Sequence, residues 1–133
     1  MNAGPLPAGA RLASLTLHQD VRGSLVAFDR DTLPFEPART FVIFDVPPGA
    51  RRAARPAACN EFLWTASGAC RVTFSDVAET TAIVLDTPHR GLFIPAGTTI
   101  TLDDFAPGTL LVVLAAKSFA EADRVRSPRH PAA

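Results

Sequence analysis

The stretch that decides the fold is Gly49-Ala-Arg-Arg-Ala-Ala-Arg-Pro-Ala-Ala-Cys-Asn-Glu-Phe-Leu-Trp-Thr-Ala-Ser-Gly68. Outward from Glu61, three residues lead back to the triplet Arg55-Pro56-Ala57, and six residues lead forward to Gly68. A second stretch runs from Gly91 through Pro95-Ala96-Gly97 to Ile100. Both stretches place short apolar runs beside glycine or proline, which is the punctuation of strands and tight turns.

The same punctuation extends along the chain and predicts an all-β domain. Short runs rich in Val, Ile, Leu, Phe and Thr alternate with turns, which is typical of a jelly-roll sandwich or barrel. These runs are Leu12–Leu17, Ser24–Phe28, Phe41–Val46, Phe62–Thr65, Cys70–Phe74, Ala82–Leu85, Leu92–Ile94 and Leu110–Ala115. A short C-terminal helix is expected over Ser118–Arg126, with Ser118 as its cap. We expect residues 1–12 to be loosely ordered, residues 13–126 to form the domain, and residues 127–133 to be a disordered tail.

Composition excludes several classes of function. The chain has 133 residues, enough for one domain, and its 13 Lys and Arg balance 13 Asp and Glu. Without a basic run, neither nucleic acid nor a membrane surface is an expected partner, and no apolar stretch is long enough to span a bilayer. Cys59 and Cys70 fit no zinc site and are expected to be free thiols, which favours the cytoplasm.

A turn at Ser67-Gly68 predicts which side chains share a face. A two-residue hairpin there would pair Thr65 with Cys70 and the flanking strands with each other. Alternation then places one set of side chains on a single face: Glu61, Leu63, Thr65, Cys70, Val72 and Phe74. Phe62 and Trp64 would lie on the other face, beside Arg71 and Thr73, and polarity alone leaves open which of the two faces is the interior.

The two opening stretches resemble the two motifs of cupins, which are jelly-roll β-barrels. In cupins, His-x-His and then Glu or Gln in the first motif, with a third His in the second, point into the barrel and bind a metal or act as acid and base. Here the matching positions hold Arg55, Ala57 and Ile100, and only Glu61 remains. The resemblance implies that Glu61 points inward, which would leave Phe62 and Trp64 outside as an exposed apolar patch suited to an interface. The resemblance therefore implies a cupin without a metal or other cofactor, because one carboxylate cannot satisfy zinc, iron or manganese.

Residues 14–126 resemble one cupin family more closely, the WxcM-like (FdtA/QdtA) sugar-nucleotide 3,4-ketoisomerases. The segments that carry the resemblance occur in the family's order: 20–25, 39–46, 51–52, 59–63, 67–68, 85–88, 91–95, 110–115 and 121–126. Members convert dTDP-4-oxo-6-deoxyglucose to its 3-oxo isomer and are typically homodimers, and paired histidines shuttle the proton without a metal. Alignment from Arg51-Arg52 places the lost histidines at Arg55 and Ala57, whereas alignment from Cys59 and Glu61 places them at Ala54 and Pro56.

Glu61 is the candidate catalytic residue. A carboxyl inside a barrel can act as a general acid or base, or it can be held in an ion pair by an arginine, and the sequence leaves both roles open. The candidate substrate-binding residues are Phe41, Arg51, Arg52, Ala54, Arg55, Ala57, Leu63, Val72, Phe74, Phe93 and Ile100. A diphosphate would need arginines, and those available are Arg22, Arg39, Arg51, Arg52, Arg55 and Arg90. His18, His89 and His130 are expected at the surface.

Three functions follow from a cavity that has lost its histidines. The first is a cofactor-independent isomerase or cyclase in natural-product biosynthesis, acting on a metabolite less polar than a sugar nucleotide, with Glu61 as its acid or base. The second is a catalytically inactive paralogue that binds a ligand or a partner protein. The third, which the residues favour least, is a genuine dTDP-sugar ketoisomerase, since no base of the family's kind remains.

Overall fold

The computed structural model describes residues 6, 9–74, 81–118 and 120–121, in which eleven strands are found. They are β1 Arg11–Ser14, β2 His18–Asp20, β3 Gly23–Leu25, β4 Arg39–Phe44, β5 Arg52–Pro56, β6 Glu61–Ser67, β7 Cys70–Phe74, β8 Thr81–Leu85, β9 Arg90–Ile94, β10 Thr99–Asp103 and β11 Leu110–Ala115. β1 begins inside the segment for which we predicted loose order. No helix in the described part is long and apolar enough to cross a membrane.

Two antiparallel sheets pack face to face. The five-stranded sheet has the order β1-β9-β6-β11-β4, the four-stranded sheet has the order β5-β10-β7-β8, and β2 and β3 form a separate hairpin. The main core lies between the two sheets, with contributions from Leu63, Leu92 and Leu111 on one side and Val72, Phe74 and Leu102 on the other. The all-β cupin architecture predicted from the sequence is confirmed.

The predicted β6–β7 hairpin is wrong, although the face it assigned is right. β6 pairs with β9 and β11 in one sheet, whereas β7 pairs with β8 and β10 in the other, so the chain changes sheets at Gly68. Leu63 and Val72 therefore meet across the core, not along a ladder. A change of sheet and a hairpin both turn the inner face of each strand toward the same interior, which is why the alternation was correct.

The predicted exposed patch at Phe62 and Trp64 is also wrong. Both side chains do lie on the outer face of the five-stranded sheet, but Phe62 is fully buried and Trp64 is half-buried. The segment between β3 and β4 covers them: Phe28 makes edge contacts with both rings, at centroid distances of 5.9 and 5.1 Å, and Leu33 joins the same cluster. Trp64 Nε1 donates to the Pro88 carbonyl at 2.8 Å. This second small core excludes Phe62 and Trp64 as a free surface.

Strands β2, β5 and β10 were not predicted. β5 reads Arg-Ala-Ala-Arg-Pro, which has little β propensity. β10 reads Thr-Ile-Thr-Leu-Asp, whose polar–apolar alternation is typical of a strand, but the segment has only five residues and the signal is correspondingly weak. Of the predicted C-terminal helix, Ser118 and Glu121 exchange two hydrogen bonds in the pattern of a capping box. The rest of that helix, from residue 122, lies outside the described residues, as do residues 127–133.

Packing explains two glycines of the opening stretches. Gly68 has φ 79°, and a Cβ there would collide with Thr109. A Cβ at Gly91 would enter the ring of Phe62. Both positions therefore exclude any side chain, one at the change of sheet and one beneath the outer core.

Candidate functional site

A cavity of about 510 Å³ opens between the two sheets at one end of the sandwich. Its lining divides by chemistry: Ile43, Leu63, Ile100, Leu102 and Val113 are buried and apolar, whereas the polar lining is concentrated in charged side chains. The full lining is Arg39, Thr40, Phe41, Ile43, Arg52, Ala53, Arg55, Pro56, Ala57, Glu61, Leu63, Ile100, Leu102 and Val113. The cavity thus combines an apolar floor with three arginines and one carboxylate.

Strand register places Glu61 and Arg39 in one row. β11 lies between β4 and β6, and its Ala115 pairs with Arg39 on one side and with Glu61 on the other. Ala115 is fully buried and small, so it leaves space above itself for the two longer side chains. Arg39 also lies over the ring of Phe41, with its guanidinium carbon 4.8 Å from the ring centroid. Glu61 and one guanidinium therefore share one face of the sheet.

The turn before β10 holds the chain that leads into Glu61. Ala57 N donates to the Thr98 carbonyl at 2.9 Å, and Gly97 N donates to the Ala57 carbonyl at 2.7 Å. Ala96 N donates to Asn60 Oδ1 at 2.9 Å. These bonds join the two stretches from which the fold was inferred, so the start of β6 is fixed against the start of β10.

A β-bulge turns two arginines into the cavity. Ile100 pairs with Arg55, but Thr101 pairs with Ala53, so Ala54 is an extra residue in β5. Ala53 and Ala54 have φ 70° and 71°, a left-handed conformation that costs an L-residue about 1–2 kcal/mol. In a regular strand Arg52 and Arg55 would face opposite sides. The bulge sets them opposite Leu102 and Ile100, which both face the core, and both arginines line the cavity.

The predicted binding residues separate into two groups. The cavity brings together Phe41, Arg52, Arg55, Ala57, Leu63 and Ile100 with Glu61. Arg51 and Ala54 are exposed and do not line it, and Val72 and Phe74 are fully buried in the core beyond its floor. Phe93 is buried on the opposite face of the five-stranded sheet, in the outer core. Of the two registers proposed for the lost histidines, the pair at 55 and 57 lines the cavity as a whole, whereas Ala54 does not.

The six arginines considered for a diphosphate do not assemble in one place. Only Arg39, Arg52 and Arg55 line the cavity. Arg22 is exposed in the β2–β3 turn and pairs with Asp20, while Arg90 Nη2 donates to the Val84 carbonyl at 3.1 Å and links the two sheets. Among the described residues, no carboxylate pairs with Arg52 or Arg55, so these two guanidiniums remain available to a ligand.

Several lining residues were missed by the sequence reasoning. Leu102 and Val113 complete the floor, and the alternation of β10 and β11 could have indicated both. No histidine lines the cavity in the described part of the chain, where His18 and His89 are exposed, and His130 lies outside that part. Within the same described residues, no three His, Cys, Asp or Glu side chains are grouped as metal ligands.

Burial limits the reactivity of the cysteine thiols. Cys59 and Cys70 are both buried free thiols. Burial, together with the nearby charge of Asp103, raises the pKa of Cys70 to about 12. A thiol in this state is a poor nucleophile, because the thiolate is the reactive form.

Comparison with known proteins agrees with this architecture. The FdtA family, described as WxcM-like, C-terminal, matches residues 8–131. A TDP-4-oxo-6-deoxy-α-D-glucose 3,4-oxoisomerase of Aneurinibacillus thermoaerophilus is 31% identical over 112 residues, which cover 80% of this chain and 78% of that protein. The WlaRB TDP-quinovose 3,4-ketoisomerase of Campylobacter jejuni is 30% identical, with a TM-score of 0.78 over 84% of this chain and 88% of its own.

A second solved structure is similar in fold. A double mutant of the QdtA 3,4-ketoisomerase of Thermoanaerobacterium thermosaccharolyticum, solved with TDP, has a TM-score of 0.81 at 23% identity over 86% of this chain and 84% of its own.

Proposed function

The chain belongs to the WxcM-like FdtA family of isomerase-related cupins, and from that premise we propose that it is a cofactor-independent isomerase or cyclase with Glu61 as its acid or base. One observation carries the proposal: Glu61 is the single carboxylate among the described residues that line the cavity. The remaining ionisable groups there are arginines, which stay protonated near neutral pH. Proton transfer inside this cavity therefore falls to Glu61.

The cavity supports a substrate with a large apolar part. Its floor is formed by aliphatic side chains, and Arg55 and Ala57, where one of the two alignments with the family places histidines, also line it. A hexose exposes hydroxyls that this floor cannot pair, and an unpaired polar group in such a place costs about 1–3 kcal/mol. The volume of about 510 Å³ suits a metabolite of ordinary drug size.

Native mass spectrometry of the purified protein tests the ligand proposal. We expect a small molecule that is retained in the folded protein and released on denaturation. Ala57→Phe fills the cavity from its rim and should lose the molecule, whereas Ala27→Phe, at an exposed loop position, should keep it. A wild-type protein that carries no small molecule, and that binds none from a metabolite extract, would contradict the proposal.

Glu61→Gln tests the role of the carboxylate. If Glu61 transfers the proton, turnover falls by about 10²- to 10⁴-fold while stability is unchanged or higher. If Glu61 is a structural partner of an arginine, the variant unfolds more easily instead, because a guanidinium loses its counter-charge. Turnover of the identified ligand and urea unfolding of both proteins separate the two roles.

A genuine dTDP-sugar ketoisomerase is the least favoured alternative. Relatives with that activity are named for it, and proton NMR of dTDP-4-oxo-6-deoxyglucose in deuterium oxide tests it here. We expect no rapid exchange at the carbons beside the carbonyl. Rapid enzyme-dependent exchange that Glu61→Gln abolishes would make Glu61 a replacement base for the relatives' reaction. A catalytically inactive paralogue would bind a ligand and leave it unchanged.

We also propose a homodimer, now through a different surface. Three large apolar side chains are exposed on the outer face of β4 and β11: Phe44, Val42 and Leu110, at 58%, 46% and 41% of their surface. Phe44 and Leu110 are directly paired, and β4 is an edge strand. Phe44→Glu should shift sedimentation toward a monomer, and Leu25→Glu, at another exposed apolar position, should not.

We also propose that the protein is located in the cytoplasm, because its two cysteines are free thiols, as expected in a reducing compartment.

A further inference from the structure

We infer that the ligand of this cavity is an oxyanion on an apolar body, a carboxylate or phosphate held by Arg52 and Arg55 with the body on the aliphatic floor. The inference rests on the proposed ligand-binding role of the cavity and adds the chemical class of the ligand. It arises from the bulge in β5, which serves no evident purpose for the core. All five residues of β5 are exposed, so the left-handed pair Ala53-Ala54 does not improve packing.

The bulge changes the charge of the cavity. Without the extra residue, Arg52 and Arg55 would face opposite sides of the sheet, and one guanidinium would leave the lining. With it, the cavity lining contains three arginines, Arg39, Arg52 and Arg55, and one carboxylate, Glu61. The ionised lining therefore carries an excess of positive charge. Backbone strain that persists on a strand without a packing benefit is typical of ligand sites.

Neither Arg52 nor Arg55 has a carboxylate partner in the described residues. A concave, partly apolar wall strengthens the attraction between guanidinium and oxyanion relative to open solvent. Two guanidiniums side by side can each donate two hydrogen bonds to one carboxylate or phosphate, which is the geometry that arginine provides and lysine does not. The floor behind them has no polar group to receive the rest of the ligand, so that part is apolar.

Two dyes that differ in one group test the inference. Anilinonaphthalene sulfonate and phenylnaphthylamine have the same aromatic body, but only the first carries an anionic group. Fluorescence titration of the wild type should give a Kd about tenfold lower for the sulfonate. Arg52→Met and Arg55→Met should each remove most of that preference and leave the affinity for the neutral dye unchanged. Arg30→Met, an exposed arginine paired with Glu36 far from the cavity lining, is the matched control.

The outcomes separate this inference from the proposal on which it rests. If both dyes bind equally and Ala57→Phe removes both, the cavity binds ligands but the anion inference is overturned. If dye binding survives Ala57→Phe, the cavity is not the site and both are overturned. A sulfonate preference that Arg55→Lys retains in part and Arg55→Met loses supports a charge-based site. Alkyl carboxylates and alkyl phosphates as competitors then distinguish the two sources of the oxyanion.

Discussion

β5 and β10 are hydrogen-bonded neighbours in the same sheet, yet they have opposite characters. β10 alternates regularly, with Ile100 and Leu102 at 4% and 3% exposure, whereas every residue of β5 is exposed. β10 is central and closes the core, while β5 is an edge strand with a bulge and two arginines. Both strands line the cavity, but β10 contributes buried apolar side chains and β5 contributes exposed arginines.

The largest expected difference between the two strands is in stability. Leu102→Ala should lower the free energy of unfolding by about 2–4 kcal/mol, because it leaves a cavity in the core between the sheets. Arg52→Ala, directly opposite on β5, should change it by less than about 0.5 kcal/mol, because an exposed side chain is lost. Urea unfolding measures both, and similar losses for the two variants would show that β5 belongs to the core.

Glycine substitutions at the paired residues Ala53 and Thr101 should change the free energy of unfolding in opposite directions. Ala53→Gly relieves a left-handed conformation and should raise the free energy of unfolding by about 0.5–1 kcal/mol, after the entropy of the unfolded glycine is subtracted. Thr101→Gly, in a regular strand, should lower it by about 1 kcal/mol. Thermal and urea unfolding provide the comparison. If both variants are destabilised, the bulge is not strained.

The smallest expected effect is the pH dependence contributed by the outer side of β10. Asp103 accepts two hydrogen bonds from Arg71 on β7, each of 3.0 Å, and these bonds, helped by the charge of Arg51, hold the pKa of Asp103 below its usual value of 3.8. A carboxylate with a lowered pKa contributes stability above its usual pKa, and that contribution is lost as the pH falls through the lowered value.

Asp103→Asn should therefore flatten the acid limb of stability below about pH 4, whereas at neutral pH the change should be small because the pair is partly solvated. Asp86→Asn, an exposed carboxyl elsewhere, is the control. Thermal unfolding across that range measures the difference. If wild type and Asp103→Asn lose stability identically at low pH, the ion pair between Asp103 and Arg71 does not contribute to stability.

The sequence predicted most of the fold because apolar alternation records burial directly. All eight predicted runs correspond to strands, and alternation correctly grouped Leu63 and Val72 on one face, which the resemblance to cupins identified as the inner one. The partner of each strand was not predictable in the same way. A hairpin and a change of sheet at Gly68 have the same local sequence pattern, and only long-range pairing with β9 and β11 distinguishes them.

The candidate site was predictable only in part. Glu61, Leu63 and Ile100 follow from spacing and alternation, and the cavity includes all three. Val72 and Phe74 were predicted to contact substrate because they share the face of Glu61, but both are fully buried in the core and do not line the cavity. The outer core over Phe62 depends on Phe28 and Leu33, which lie far away in sequence and carry no signal of their destination.

By itself the sequence determined the class of fold, the set of side chains that share a face with Glu61, and the residue types at the positions that match the family's motif, because residue type and spacing are local properties. Only the tertiary structure decided that Arg52 and Arg55 face the same cavity and that Arg39 shares a row with Glu61. The bulge that aligns the two arginines is a mismatch in pairing register between β5 and β10. Such a mismatch exists only between two paired strands, so neither strand's sequence can contain it alone.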